Sequence, residues 1–286
     1  MDNMGNDNIA GKRVLITEAT GFIGSNLMNI LKKTDWELVP LVRNRAGLKN
    51  EVLINFCAPN FCKAINSLPK VDAIVHFGAK IGWDSSSRQA LFVPNVLATA
   101  ELVNWAREIN AYFVFASAAI VCGVKNTNIT SVSKPNPDTN YGYSKWLAEE
   151  IIQMSGVKHA ILRIAGVFGK DGPSHLSINK TINDALNGIT PIQYGNAGIK
   201  RNYIYIKDLS NIIKSCIEGE IEGTHLAAGS INTISKMLQT ICDIILPCRK
   251  PEYREGSDGS DQIIEHSACL PKGCSFEEAI GDIKSD

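Results

Sequence analysis

The chain has no apolar run approaching the roughly 18 residues that a membrane span requires. It also has no excess of charge of either sign, since 29 Lys and Arg balance 29 Asp and Glu. The first absence excludes a spanning helix. The second gives no electrostatic footprint for nucleic acid or for an anionic membrane as partner. The opening stretch, MDNMGNDNIAGKR, lacks the apolar segment of a secretory signal and reads as a disordered lead-in, so a cytoplasmic protein is expected. No internal repeat and no low-complexity tract interrupts the chain. Eight cysteines are present, but none stand at the two-residue spacing of a zinc knuckle. His266, Cys269 and Cys274, with Cys242 and Cys248 upstream, are therefore read as ordinary side chains, and no metal is expected.

What is present is ample core. The chain has 286 residues, with 44% apolar and 20% charged content, ordinary values for a globular protein. Apolar strand-like runs alternate with longer helical stretches: RVLIT, WELVPLVR, DAIVHFGA (72–79), YFVFASAAIVCG and AILRIAGVFG are the runs. Helices are expected at about 23–32, 88–109 and 141–154. Runs that are apolar at nearly every position suit strands buried on both faces. The expected fold is α/β: a doubly wound parallel sheet of Rossmann type with a smaller α/β C-terminal lobe. The dinucleotide-binding part is expected over 11–168, with 202–219 returning to it, and a substrate-binding lobe over 169–201 and 220–286. The 88–109 and 141–154 helices are apolar on two sides; the second side could face the second lobe or another subunit, and a homodimer through these helices is expected.

The stretch TEATGFIG follows the first strand and opens a helix. A helix start offers unpaired N–H groups and a positive dipole end to a pyrophosphate. Gly21 would admit the phosphates closely and Gly24 would let the helix pack on the strand. Glu18 stands where such a loop normally carries glycine. Its carboxylate could repel an anionic cofactor, accept from a ribose hydroxyl, or simply point outward. After the second strand comes LVRNR, with Arg43 and Arg45 and no acid. An acid there would bind the ribose 2′-hydroxyl of NAD; arginine favours NADP, with NAD still possible.

Tyr141 and Lys145, in YGYSK, lie four apart and share one helix face. A cationic lysine beside a phenol lowers its pKa from about 10 toward a working range. The phenol could then pass a proton to or from a sugar or alcohol oxygen while hydride moves at a nicotinamide.

On these motifs the chain resembles the extended short-chain dehydrogenase/reductases, the sugar-nucleotide epimerase, dehydratase and reductase group. ITEATGFIGSNL, DAIVHFGA, PNVLATAELV, YGYSKWLAEE, ILRIAGVFG and GNAGIKRNYIYIKDL carry the resemblance in order, from Lys12 onward. It implies catalytic roles for Tyr141 and Lys145. It implies dinucleotide contacts from Thr17, Gly21, Phe22, Ile23, Gly24, Arg43, Phe77, Gly78, Ala79, Asn95 and Lys145. It implies contacts to a nucleotide-diphosphate sugar from Trp83, Gly166 and Arg201. Read from residue type alone, Trp83 equally suits plain packing, Lys200 and Arg201 a solvated pair, and His76 a packed core position.

The departures from the family pattern choose among activities. The catalytic Ser or Thr position falls on Ala118, and Ser117 could substitute only if the strand end twists or bulges. Cys122 replaces a tyrosine, and Gly166 replaces an asparagine. Ala119 and Ile120 stand where dehydratases carry Asp-Glu, which argues against dehydration. The basic end of the second strand favours a 4-keto-sugar reductase over an NAD-dependent 4-epimerase. A third reading, from Glu18 and Ala118 together, is a nucleotide- or sugar-binding protein without catalysis.

Overall fold

The computed structural model describes residues 11–81, 88–196, 198–256 and 259–286. The apolar runs form a seven-stranded sheet: β1 (Arg13–Thr17), β2 (Glu37–Val42), β3 (Val52–Leu53), β4 (Ala73–His76), β5 (Tyr112–Ala118), β6 (His159–Ile164) and β7 (Gly223–Ala227). Their spatial order is β7-β6-β5-β4-β1-β2-β3, and every neighbouring pair is parallel. The order reverses between β1 and β4, which opens a crevice beyond the carboxyl ends of those strands.

Helices cover both faces. One face of the sheet (Val14, Ile16, Val114 and Leu162) packs against Leu27 and Leu31 of α1 (Phe22–Leu31), and against Leu209 and Ile213 of a helix at Ile206–Gly219. The other face (Leu15, Ile74, Phe113 and Phe115) packs against a short α2 (Phe61–Ile65), then Leu102 and Trp105 of the long helix, then Ala148 and Ile152. That long helix is α3 (Arg88–Phe92) and α4 (Ala98–Ile109), joined by a π turn at Val93–Leu97. Pro94 lies in that turn and has no N–H for the ladder, a known cause of local widening. Ala148 and Ile152 belong to α5 (Asn140–Met154). A third apolar cluster lies in the C-terminal part: Ile178 and Ile182 of α6 (Ser177–Leu186), Met237 and Ile241 of α8 (Ile234–Ile245), and Phe276 and Ile280 of α9 (Phe276–Ser285). Tyr205, just before α7 (Ile206–Gly219), joins them.

Two boundaries fall elsewhere than the sequence suggests. Gly223–Ala227, assigned above to the second lobe, is the edge strand of the main sheet, pairing with Ala160–Ile164. Its Gly223 and His225 are half-buried and its Thr224 is exposed, so it shows no buried-strand pattern in sequence. The run AILRIAGVFG breaks after Ile164, and Val167–Phe168 instead pairs with Ile204–Tyr205. Among the described residues no helix is long and apolar enough to cross a membrane.

Candidate active site

The turn from β1 into α1 has the shape that its glycines require. The Glu18 carbonyl accepts from Gly21 N at 2.9 Å. A Cβ at Gly24 would lie 2.2 Å from that carbonyl oxygen, so only glycine lets the helix close on the strand. No side chain caps α1 at Gly21, which leaves its first N–H groups to an anion. This cradle fits a pyrophosphate. Glu18 itself has φ 51, in the left-handed region, and its side chain is exposed. Arg43 and Arg45 are exposed just past β2.

Thr17 ties the loop after β4 to this cradle. Its Oγ1 accepts from Phe77 N and Gly78 N, both at 2.9 Å, so its own proton goes to His76 Nδ1 at 3.0 Å. His76 Nε2 must then carry the ring proton and donate to Thr99 Oγ1 at 3.0 Å, while Thr99 donates to the Asn95 carbonyl at 2.8 Å. Burial pulls the His76 pKa down to about 3, so the ring stays neutral. Phe77 and Ala79 are half-buried along this loop, as are Phe22 and Ile23 at the helix start. Asn95 is wholly buried. Its amide accepts from Lys80 N at 2.7 Å and donates to Lys80 O and Ser144 Oγ, both at 2.9 Å. Asn95 therefore positions the crevice wall and the helix bearing Tyr141 from behind.

Tyr141 and Lys145 lie one turn apart on α5, on the side toward β5. The Lys145 amine donates to the Ala116 carbonyl at 2.8 Å, lies 4.5 Å over the Phe115 ring, and stands 6.0 Å from the centre of the Tyr141 ring. Burial lowers the Lys145 pKa to about 7, against an opposing pull from Glu149. Burial also pushes the Tyr141 phenol up to about 12, the reverse of the lowering expected from a neighbouring ammonium. In this state Tyr141 is a proton donor, and lowering its pKa requires added positive charge nearby.

β5 runs straight through Ala118, which is extended (φ −133, ψ 140) and in register with Ile164. Without a bulge, Ser117 points to the opposite side. Its hydroxyl donates to Glu149 Oε1, so it does not stand in for the missing hydroxyl at position 118. Glu149 is fully buried and pairs with Arg163 at 2.7 Å. Arg163 also reaches Cys122 Sγ at 3.7 Å and the Ser133 carbonyl at 3.4 Å. This polar cluster ties α5, β5 and β6 together behind the site.

Just past β6, a Cβ at Gly166 would meet Tyr203 Cδ1 at 2.8 Å. The tyrosine ring thus fills the space that a side chain at 166 would take, and Gly166 contributes no side-chain contact. Burial raises the Tyr203 pKa, with Arg201 opposing. Sequence reasoning passed over Tyr203, although it lies inside the quoted GNAGIKRNYIYIKDL. The Arg201 guanidinium donates to the carbonyls of Lys200 (2.9 Å) and Ser260 (2.5 Å). Trp83 lies outside the described residues. Among the described residues no group of three or more His, Cys, Asp or Glu is arranged to hold a metal. His266 accepts from Ala228 N, and Cys274 donates to Asp208.

Comparison with known proteins places this arrangement. Residues 14–228 match the NAD dependent epimerase/dehydratase family. A GDP-6-deoxy-D-talose 4-dehydrogenase of Aggregatibacter actinomycetemcomitans is 24% identical over 244 residues, covering 81% of this chain and 80% of that protein. A provisionally named UDP-glucose 4-epimerase of Methanocaldococcus jannaschii is 25% identical over 247 residues, covering 80% and 81%. The solved UDP-N-acetylglucosamine 4-epimerase of Bacillus cereus superposes with a TM-score of 0.85 at 21% identity, over 96% of this chain and 99% of that one.

Proposed function

We propose, for a chain that belongs to the NAD dependent epimerase/dehydratase family, that it is a reductase of 4-keto nucleotide-diphosphate sugars with NADP as cofactor. The observation that carries the reading is the Tyr141–Lys145 pair, one turn apart beside β5, next to a glycine cradle with exposed arginines and no acid after β2. The nicotinamide, when bound, supplies the hydride. Tyr141, protonated in this state, gives its proton to the oxygen of the reduced ketone. Lys145, held by Ala116 and Phe115, is the positive charge that stabilises the phenolate left behind until solvent returns its proton. Arg201 supplies positive charge to the sugar diphosphate, and Tyr203 forms the wall beside the sugar. The smaller C-terminal part, built on α6, α8 and α9, is the substrate lobe. Exposed Phe92, Tyr143 and Met154 on the α3 and α5 surface support a homodimer through these helices.

The test is consumption of NADPH with a panel of 4-keto nucleotide-diphosphate sugars. Tyr141→Phe should abolish turnover and leave the thermal unfolding transition in place. Interconversion of epimers without net cofactor consumption would instead make the protein a 4-epimerase.

A second reading has its own observation. Ala118 carries no hydroxyl and Ser117 is committed to Glu149, so the family's proton-relay hydroxyl is missing. A protein that binds the dinucleotide and the sugar without turnover would show saturable binding of both and no product with any sugar of the panel.

A further inference from the structure

We infer that Glu18 keeps the dinucleotide exchangeable: its carboxylate, rooted against the start of α1, weakens the grip of the glycine turn so that the cofactor leaves after each turnover. The inference rests on the dinucleotide reading given above. Position 18 has φ 51, a backbone region that glycine enters freely and a residue with a Cβ enters only at a cost. The turn uses only the backbone of this residue. Its carbonyl accepts from Gly21 N and lies against Gly24, while its side chain is exposed. Glycine would build the same turn without strain, so the carboxylate adds nothing to the turn itself.

Its position says what it acts on. The Glu18 Cβ is 3.9 Å from where a Cβ on Gly21, the N-cap of α1, would stand. A side chain rooted there adds a negative charge beside the positive end of the helix, and that charge opposes a second anion at the same end. Within roughly 6 Å of a phosphate, in a partly solvated turn, one unit charge changes affinity on the order of tenfold. The neighbouring strand end provides the counterweight. Thr17 is in register with Leu41, and Ala19 N approaches the Leu41 carbonyl at 3.4 Å, so Arg43 follows β2 close beside the turn. A cofactor with an additional ribose phosphate meets Arg43 and Arg45. One without it meets Glu18 alone. Weak retention with a preference for the phosphorylated dinucleotide suits a co-substrate that is consumed, and it does not suit a cofactor regenerated in place.

Calorimetric titration of the full-length protein with NADP+ and NADPH tests this, using wild type, Glu18→Gln and Glu18→Gly. The expected result is binding about tenfold tighter in Glu18→Gln, at least as tight in Glu18→Gly, with the gain shrinking as salt is raised. Slower dissociation in both variants is expected alongside. Wild-type binding with an unchanged or weaker Glu18→Gln overturns the inference and leaves the dinucleotide reading standing. Folded wild type and variants that all fail to bind overturn both.

Discussion

The Lys145 amine donates to the Ala116 carbonyl at 2.8 Å while standing 6.0 Å from the centre of the Tyr141 ring. The lysine is thus anchored to the strand and held clear of solvent, and burial brings its pKa from 10.5 to about 7. Between those two values the unfolded chain holds a proton that the folded chain has released. Stability from this group therefore rises with pH across that window, and the penalty for burying the charge is complete below about pH 7. Lys145→Met, which keeps the length and removes the charge, should raise stability by about 1–3 kcal/mol near neutral pH, after allowing for the lost hydrogen bond. The gain should shrink as pH climbs toward 10. Denaturant unfolding at several pH values checks this, and a gain independent of pH would contradict the assignment.

Ala118 is the position where one oxygen should change the rate. Its backbone is extended and it sits half-buried at the end of β5, a conformation that serine adopts as readily as alanine. If the protein is a slow reductase for want of that donor, Ala118→Ser should raise kcat by about a hundred- to a thousandfold, the range seen for comparable oxyanion donors. The unfolding midpoint should move little. A rate unchanged across the sugar panel would mean that another group already supplies the hydrogen bond.

Ser117 makes the matching control. Its hydroxyl is spent on Glu149, which is buried and paired with Arg163. Ser117→Ala removes one charge-assisted bond and leaves the ion pair in place. It should cost about 1–3 kcal/mol of stability with kcat/KM within a factor of about two. A large loss of turnover without loss of stability would return Ser117 to the catalytic group.

These positions also show how far the sequence can be read. β1, β4 and β5 were legible because strands buried on both faces carry apolar residues at nearly every position, and the helix spacing put Tyr141 and Lys145 on one side. The glycine turn was legible with its anomaly, and Glu18 does take the strained backbone that its place implied. Partnership across the fold was not legible. Asn95 reads as a cofactor contact until its amide is seen committed to Lys80 and Ser144. Ser117 reads as a spare hydroxyl until the unbroken register through Ala118 turns it to Glu149. The edge strand at Gly223–Ala227 carries too little apolar pattern to announce itself. The direction of the Tyr141 shift depended on burial, which no spacing gives.

Gly166 and Tyr203 are the most direct case of two positions that read separately in sequence and act together in space. A Cβ at 166 would stand 2.8 Å from Tyr203 Cδ1 and 3.2 Å from Leu176 Cδ2. Restoring the asparagine of the family pattern, Gly166→Asn, forces the ring aside and should destabilise the protein by about 1–3 kcal/mol through overpacking. Tyr203→Ala alone opens a cavity beside the glycine and should cost about 3–5 kcal/mol if the ring is well packed, less to the extent that it is solvated. The double variant puts the amide where the ring was, so the two costs should not add. A coupling of at least about 1 kcal/mol in favour of the pair is expected. Additive costs in denaturant unfolding would mean that the ring moves freely enough to admit a side chain, and that Tyr203 is not what fills the space beside Gly166.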